Sequence, residues 1–299
     1  MRSVLITGIS GFIGGHLWAE LAQRHDNVWG IFGNSGKLPL RPERQLFADL
    51  KSHDHVTRII SGMAPECIVH LAAVSRVSVC QKQSLLAWRI NHAATRHLAK
   101  LAEEINARFI FISSDQVFDG LKGMYRETDP AFPVNVYGET KKSAEKTLLA
   151  TVTNAVVARI NNCFGPPRFR GSSFSNWILE KEFIGDPVTL FNDQIRSPLD
   201  VVTLCNALIE LIEHPFIGTM HLGGSEPETR VSFGRKLLRH QGRDSSGILE
   251  VSAKQHDPDG IMPADTSFDI SLARNVLNTP MVDVEKGLDL AYGPANRFF

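Results

Sequence analysis

Tyr137 and Lys141 lie four residues apart in Asn135-Val136-Tyr137-Gly138-Glu139-Thr140-Lys141. On a helix that spacing puts both side chains on one face. An ammonium beside a phenol stabilises tyrosinate and lowers the phenol pKa. Tyr137 would then serve as proton donor to a carbonyl oxygen that receives hydride, and Lys141 would also reach a ribose of the hydride carrier. Taken alone, such a pair is common on helix surfaces and proves little. A second group makes it informative. The apolar stretch 109–112 ends in Ser113-Ser114-Asp115-Gln116-Val117-Phe118-Asp119-Gly120. A hydroxyl from Ser114 at the carboxyl end of a strand can hydrogen-bond the same substrate oxygen.

A phosphate cradle lies near the start of the chain. Gly8-Ile9-Ser10-Gly11-Phe12-Ile13-Gly14 spaces its glycines GxxGxxG between a strand at 3–7 and a helix at 12–24. Gly8 permits the tight turn, Gly11 lets backbone approach a pyrophosphate, and Gly14 lets helix and strand pack closely. Phe12 and Ile13 then present orphan N–H donors and the positive helix end to the anion. The second strand, 28–32, runs into Gly33-Asn34-Ser35-Gly36-Lys37 without a carboxylate. An acid there would accept from a ribose 2′-OH. Asn34 and Ser35 would instead donate to a 2′-phosphate, and Lys37 would pair with it. The cofactor expected is therefore NADP(H), with NAD(H) as the alternative. Asp49, followed by Leu50, is placed to accept from the adenine amino group, or equally to cap the next helix.

These groups need a frame that brings strand ends together. Strands are expected at 3–7, 28–32, 45–48, 67–71, 108–113 and 155–160, and helices at 12–24, 53–62, 84–105 and 135–150. That alternation predicts an α/β fold, a doubly wound parallel sheet covered on both faces. Beyond Asn161 the pattern loosens. A loop is expected at 164–173, helices at 174–183, 201–213 and 231–239, and one strand at 219–222. Residues 1–163 with about 199–222 would form the dinucleotide-binding domain. Residues 164–198 and 223–299 would form a smaller substrate-binding lobe. The charges balance, 32 basic against 32 acidic, which argues against nucleic acid or an anionic membrane as partner. No apolar run approaches ~20 residues, the length of a membrane span. Cys67, Cys80, Cys163 and Cys205 lack CxxC spacing, so reduced buried thiols, a cytoplasmic location and no metal are expected. The helices at 84–105 and 135–150 both look amphipathic and are the candidate faces of a homodimer.

Together GxxGFIG, His70-Leu71-Ala72-Ala73, Asn91, SSDQVFDG and YGETK resemble the extended short-chain dehydrogenase/reductase family, of Rossmann type. The stretch 113–141, with Tyr125-Arg126-Glu127-Thr128-Asp129, is particularly similar to dTDP-4-dehydrorhamnose reductases. The resemblance implies a Ser114–Tyr137–Lys141 catalytic triad. Ser114 is chosen over Ser113 because it lies three residues before Val117, as in the family motif. It further implies that Leu71, Ala72 and Ala73 line the cofactor path and that Asn91 supports the active-site helix. Ser75, Gln116 and Asn162 would face a nucleotide-sugar substrate, and Arg196 would grip its diphosphate through paired donors. Departures from the family fall in the sugar half of the site: Gln116 replaces a tyrosine, Asn162 an aromatic, and Met262-Pro263 an Arg-Pro pair.

Three readings follow. The first is an NADPH-dependent reductase of a nucleotide-linked 4-keto-6-deoxysugar. The second is an epimerase or 4,6-dehydratase on the same scaffold. Dehydration needs a base beside the catalytic hydroxyl, and Gln116 is a neutral amide. The third is an NADP-binding regulatory subunit similar to that of methionine adenosyltransferase, which resembles the same family.

Overall fold

The computed structural model describes residues 2–33, 36–257 and 259–293. Asn34 and Ser35, expected at the 2′-phosphate, lie outside the described residues. The first half alternates β1 (Val4–Thr7), α1 (Phe12–Ala22), β2 (Val28–Phe32), β3 (Gln45–Phe47), α2 (His53–Met63) and β4 (Cys67–His70). It continues through α3 (Val77–Lys82), α4 (Ser84–Ala87), α5 (Ala94–Glu104), β5 (Arg108–Ser114), α6 (Val136–Thr151) and β6 (Ala155–Ile160). The second half holds β7 (Cys163–Phe164), α7 (Phe174–Phe183), β8 (Val188–Phe191), β9 (Ile195–Arg196), β10 (Leu199–Asp200), α8 (Val201–Glu213) and β11 (Gly218–Leu222). It ends with β12 (Glu228–Thr229), α9 (Arg230–His240), β13 (Ile248–Val251), α10 (Ala253–His256), α11 (Ser271–Val276) and α12 (Val284–Tyr292).

Seven strands form one parallel sheet in the order β11-β6-β5-β4-β1-β2-β3. Because side chains alternate along a strand, neighbouring residues of β1 and β5 feed opposite faces. Val4, Ile6, Ile110 and Ile112 pack with Leu17 and Trp18 of α1 and with Leu204, Leu208 and Leu211 of α8. Leu5, Phe109 and Phe111 pack on the other face with Ile60 of α2, Leu98 of α5 and Leu148 of α6. A third cluster, with Ile178, Leu190, Phe233, Leu237 and Leu288 among its members, forms a smaller body from the later elements.

The structure departs from the sequence reading in three places. The helix expected at 84–105 is broken by a π turn over Trp88–Ala93, preceded by the separate α3. Wide turns of this kind frequently mark functional positions, and this one carries Asn91. The segment 268–281, expected in the smaller lobe, sends Phe268, Ile270, Leu277 and Met281 into the first core beside α8. Short strands also went unread: β8 pairs with β13 from some sixty residues away, in parallel register Val188↔Ile248.

Candidate active site

The turn after β1 is shaped by its glycines. Gly8 has φ of +77°, and a Cβ there would lie 2.7 Å from the Ala72 backbone nitrogen. A Cβ on Gly14 would lie 2.1 Å from the Gly8 carbonyl oxygen. The helix start and the β4 exit therefore close directly onto the turn, leaving a cradle of backbone. A buried polar chain holds these elements in place. Thr95 Oγ1 donates to the Asn91 carbonyl at 2.7 Å, so it accepts from His70 Nε2 at 3.0 Å. His70 Nδ1 is then the acceptor for Thr7 Oγ1 at 2.6 Å, and Thr7 Oγ1 accepts from the Ala72 N–H at 3.3 Å. Burial, aided by Lys141, pushes His70 down to about 3, so the ring stays neutral.

A cavity of about 860 Å³ runs from this turn to the end of β5. Its wall includes Gly8, Gly11, Phe12, Ile13 and Gly14 at one end, with Asp49 and Leu50 beside them. Leu71, Ala72, Ala73 and Ser75 line its length, and Ser114, Gln116, Tyr137, Lys141 and Asn162 the other end. Lys37, Asn91 and Arg196 are not on the wall. Asn91 supports it from behind. Its Oδ1 accepts from the Val74 N–H at 2.8 Å, and its Nδ2 donates to the Val74 carbonyl at 3.0 Å and to Thr140 Oγ1 at 3.1 Å. The loop after β4 is thereby tied to α6, which carries Tyr137 and Lys141.

Helix α6 starts where it does because Asn135 caps it, its Oδ1 accepting from the Gly138 N–H at 2.9 Å. A Cβ on Gly138 would lie 2.0 Å from the Gln116 carbonyl oxygen, so the first turn of α6 rests on the β5 exit. This approach brings Tyr137 and Ser114 to the same end of the cavity. Lys141 Nζ donates to the Ile112 carbonyl at 2.6 Å and sits 4.4 Å from the Phe111 ring centre. Burial pushes Lys141 down to about 7, against the raising effect of Glu145. The expectation that Lys141 lowers the Tyr137 pKa is corrected. Burial raises the phenol well above its ordinary value, the neighbouring Ser114 hydroxyl opposes this, and the lysine is turned to a carbonyl instead. Tyr137 is thus a protonated phenol at neutral pH.

The residues after Ser114 are locked. Asp115 Oδ1 accepts from Ser114 Oγ at 3.0 Å, and Oδ2 from Gln116 Nε2 at 3.1 Å and Thr266 Oγ1 at 2.5 Å. Gln116 Oε1 accepts from Asn135 Nδ2 at 3.1 Å. Arg196 is buried with its Nε 3.3 Å from Asp115 Oδ2. Its Nη1 donates to the Ile195 and Ala264 carbonyls at 2.6 and 2.8 Å, and Nη2 to the Pro263 carbonyl at 2.8 Å. That fork anchors the segment 263–264 against β9. Asn162 lines the cavity, and its Nδ2 is buried without a hydrogen-bond partner among the described residues.

Residues 165–173 fold over the glycine turn: a Cβ on Gly171 would lie 2.6 Å from the Phe12 backbone nitrogen, and His16 Nε2 bonds the Pro166 carbonyl at 2.8 Å. The loop carries Arg170, whose Nη1 would be 3.5 Å from a Cβ on Gly36, beside the end of β2. Sequence reasoning missed Arg170 because its neighbour is some 130 residues away. The Gly-Pro-Arg composition of the loop was the available signal.

Residues 1–293 match the RmlD substrate binding domain family. The chain belongs to this family. Membership places it among the extended short-chain dehydrogenase/reductases, NAD(P)-dependent oxidoreductases that share this sheet. It is similar to methionine adenosyltransferase 2 subunit beta of Bos taurus, at 35% identity over 77% of this chain and 69% of the relative. It is 25% identical to the probable low-salt glycan biosynthesis reductase Agl14 of Haloferax volcanii, over 95% of each chain. The fold of dTDP-4-dehydrorhamnose reductase from Bacillus anthracis, solved in complex with NADP, superposes with a TM-score of 0.83. That superposition covers 98% of this chain and 99% of the other at 23% identity. Among the described residues no helix is long and apolar enough to cross a membrane.

Proposed function

We propose that this RmlD-family chain reduces the 4-keto group of a nucleotide-linked 6-deoxysugar with NADPH. The observation that carries the reading is that the Ser114–Tyr137 pair opens on the same cavity as the glycine turn. The residues present fit a nicotinamide dinucleotide. Gly8 and Gly14 leave a cradle that a side chain would fill, and the cavity continues past Ala72 and Ala73 to Lys141. When bound there, the cofactor supplies hydride to a carbonyl carbon. Ser114 Oγ and Tyr137 Oη hold the carbonyl oxygen, and Tyr137 delivers its proton as charge develops there. Lys141 Nζ, fixed on the Ile112 carbonyl, holds a cofactor ribose. Asn162 Nδ2 donates to a sugar oxygen, which removes its unsatisfied state.

The test is a purified protein supplied with NADPH and several nucleotide-linked 4-keto-6-deoxyhexoses, followed by loss of NADPH absorbance and product mass. Turnover of none of them overturns the reading. The similarity to methionine adenosyltransferase 2 subunit beta favours a second reading, an NADP-binding regulatory subunit. Co-purification with a methionine adenosyltransferase, together with no keto-sugar turnover, would select it.

Two further outcomes are expected. NADPH should bind more tightly than NADH, with Lys37 and Arg170 as the cations near the 2′-phosphate. Lys37→Ala should narrow the ratio of the two dissociation constants by about five-fold, the scale of one exposed charge contact. Tighter NADH binding by the native protein would reject the assignment. The native protein should also release no water from a nucleotide-linked hexose, even with NAD present. Gln116 is a neutral amide, and the Asp115 carboxylate beside it is already engaged by three donors. Neither is free to take a proton from carbon. Mass-spectrometric detection of a 4-keto product from an unmodified nucleotide-hexose would move the function to a dehydratase.

A further inference from the structure

We propose that Arg230, reaching across the face of Phe174, holds the diphosphate of the nucleotide-linked substrate. The inference rests on the nucleotide-sugar reading above and adds a residue that the family resemblance does not point to.

Arg230 opens α9, and its backbone N–H donates to the Gln194 carbonyl at 3.2 Å, which fixes it beside β9. Its guanidinium lies 4.5 Å from the Phe174 ring centre; Phe174 lines the cavity, and Arg230 stands directly behind that wall. Among the described residues no carboxylate forms an ion pair with it, and no side-chain hydrogen bond of Arg230 is present. Burial pushes it down to about 9, with Arg196 as a like-charged neighbour and Asp115 as the opposing carboxylate. Asp115 accepts from Ser114, Gln116 and Thr266 and pairs with Arg196 at 3.3 Å, so its one negative charge is shared between two arginines. The Arg230 side chain is half-buried, and a partly desolvated cation short of counter-charge is relieved by an anionic ligand.

Neighbouring groups point the same way. Among the described residues neither Arg196 Nε nor Asn162 Nδ2, both buried, has a hydrogen-bond acceptor, although Asp115 Oδ2 lies 3.3 Å from Arg196 Nε as an ion pair. Helix α7 begins at Phe174 with Ser173 as its cap, and both residues line the cavity, so its positive end faces the same space. The local excess is of donors and positive charge. Arg196 has its fork committed to three backbone carbonyls. Arg230 has its fork free, and a planar fork matches two phosphate oxygens at once.

The test titrates NADPH-loaded protein with dTDP, UDP and inorganic pyrophosphate by calorimetry, so that the dinucleotide cradle is already filled. Arg230→Gln is expected to weaken binding of the nucleoside diphosphate and of pyrophosphate by at least about ten-fold, the loss of one charge-assisted contact. Arg230→Lys, which keeps charge but not the planar fork, is expected to lose about three-fold. It is the deciding variant if the glutamine form does not fold. NADPH affinity should be the same in all three proteins. Native-like nucleoside diphosphate binding in both variants overturns the role of Arg230 and leaves the nucleotide-sugar reading standing. Arg230-dependent binding of pyrophosphate without any nucleoside diphosphate binding keeps the anion site and rejects the nucleotide-sugar reading. No binding of any probe by the native protein overturns both.

Discussion

Tyr137→Phe is expected to lower keto-sugar turnover by about 10²–10⁴-fold, while the NADPH dissociation constant stays within about two-fold of native. The substitution removes one hydroxyl from a buried ring and leaves the ring packed with Cys80 and Ala87. The lost group is the proton donor and one of two hydroxyls on the substrate oxygen. Ser114 retains its bonds to Asp115 and to the Gln116 N–H, so the site should keep its shape. Single-turnover kinetics with saturating NADPH separates chemistry from binding. A phenylalanine variant that reduces the sugar at near-native rate would remove Tyr137 from the mechanism. Lys141→Met should reduce turnover and also weaken the cofactor, because under the proposed function its ammonium holds a cofactor ribose.

The second large effect is on stability. Glu145→Ala is expected to cost about 3–5 kcal/mol, because it strands the buried Arg159 guanidinium. Glu145 Oε2 pairs with Arg159 Nη2 at 2.8 Å and Oε1 with Arg159 Nε at 3.0 Å, and both side chains are buried. Ser113 Oγ donates to the same carboxylate, and Arg159 Nη1 meets His221 Nε2 at 3.3 Å. His221 cannot share the charge: burial, reinforced by Arg159, pushes it down to about 3. Calorimetry should show a fall in Tm on the order of 10 °C, at roughly 2–4 °C per kcal/mol for a chain of this size. Glu145→Leu with Arg159→Met should recover most of that loss, since an apolar pair replaces both charges together. A single variant that melts with the native protein would show that the pair is not desolvated. The carboxylate also supports Lys141, so its removal should shift loss of the ammonium to lower pH.

The first half of the site was legible because its signals are local. Gly8, Gly11 and Gly14 are spaced for a turn of fixed shape between a strand and a helix, and the turn forms there with Gly8 at positive φ. Tyr137 and Lys141 are four apart on α6. The strands β1, β2, β5 and β6 are near-continuous apolar runs, as strands buried on both faces must be. The second half was less legible because its elements are short and paired at long range. Two-residue strands such as β9 and β12 carry no period, and they form because Arg196 and Glu228 meet in antiparallel register. The residue assigned to the diphosphate shows the same limit. Arg196 sits in a readable motif, yet its fork is occupied by carbonyls at 195, 263 and 264, two of them nearly seventy residues downstream.

By itself, then, the sequence determined the α/β sheet and the glycine turn, and pointed to Ser114, Tyr137 and Lys141, which the fold brings to one cavity, because periodicity and close spacing are properties of short segments. Only the tertiary structure decided the protonation of that site and the donors left free in it. Burial comes from residues distant in the chain, and it is burial that keeps Tyr137 protonated, brings Lys141 to about 7 and lowers Arg230 to about 9. Which arginine keeps a free fork depends on what the fold places within hydrogen-bond reach, and no local pattern records that.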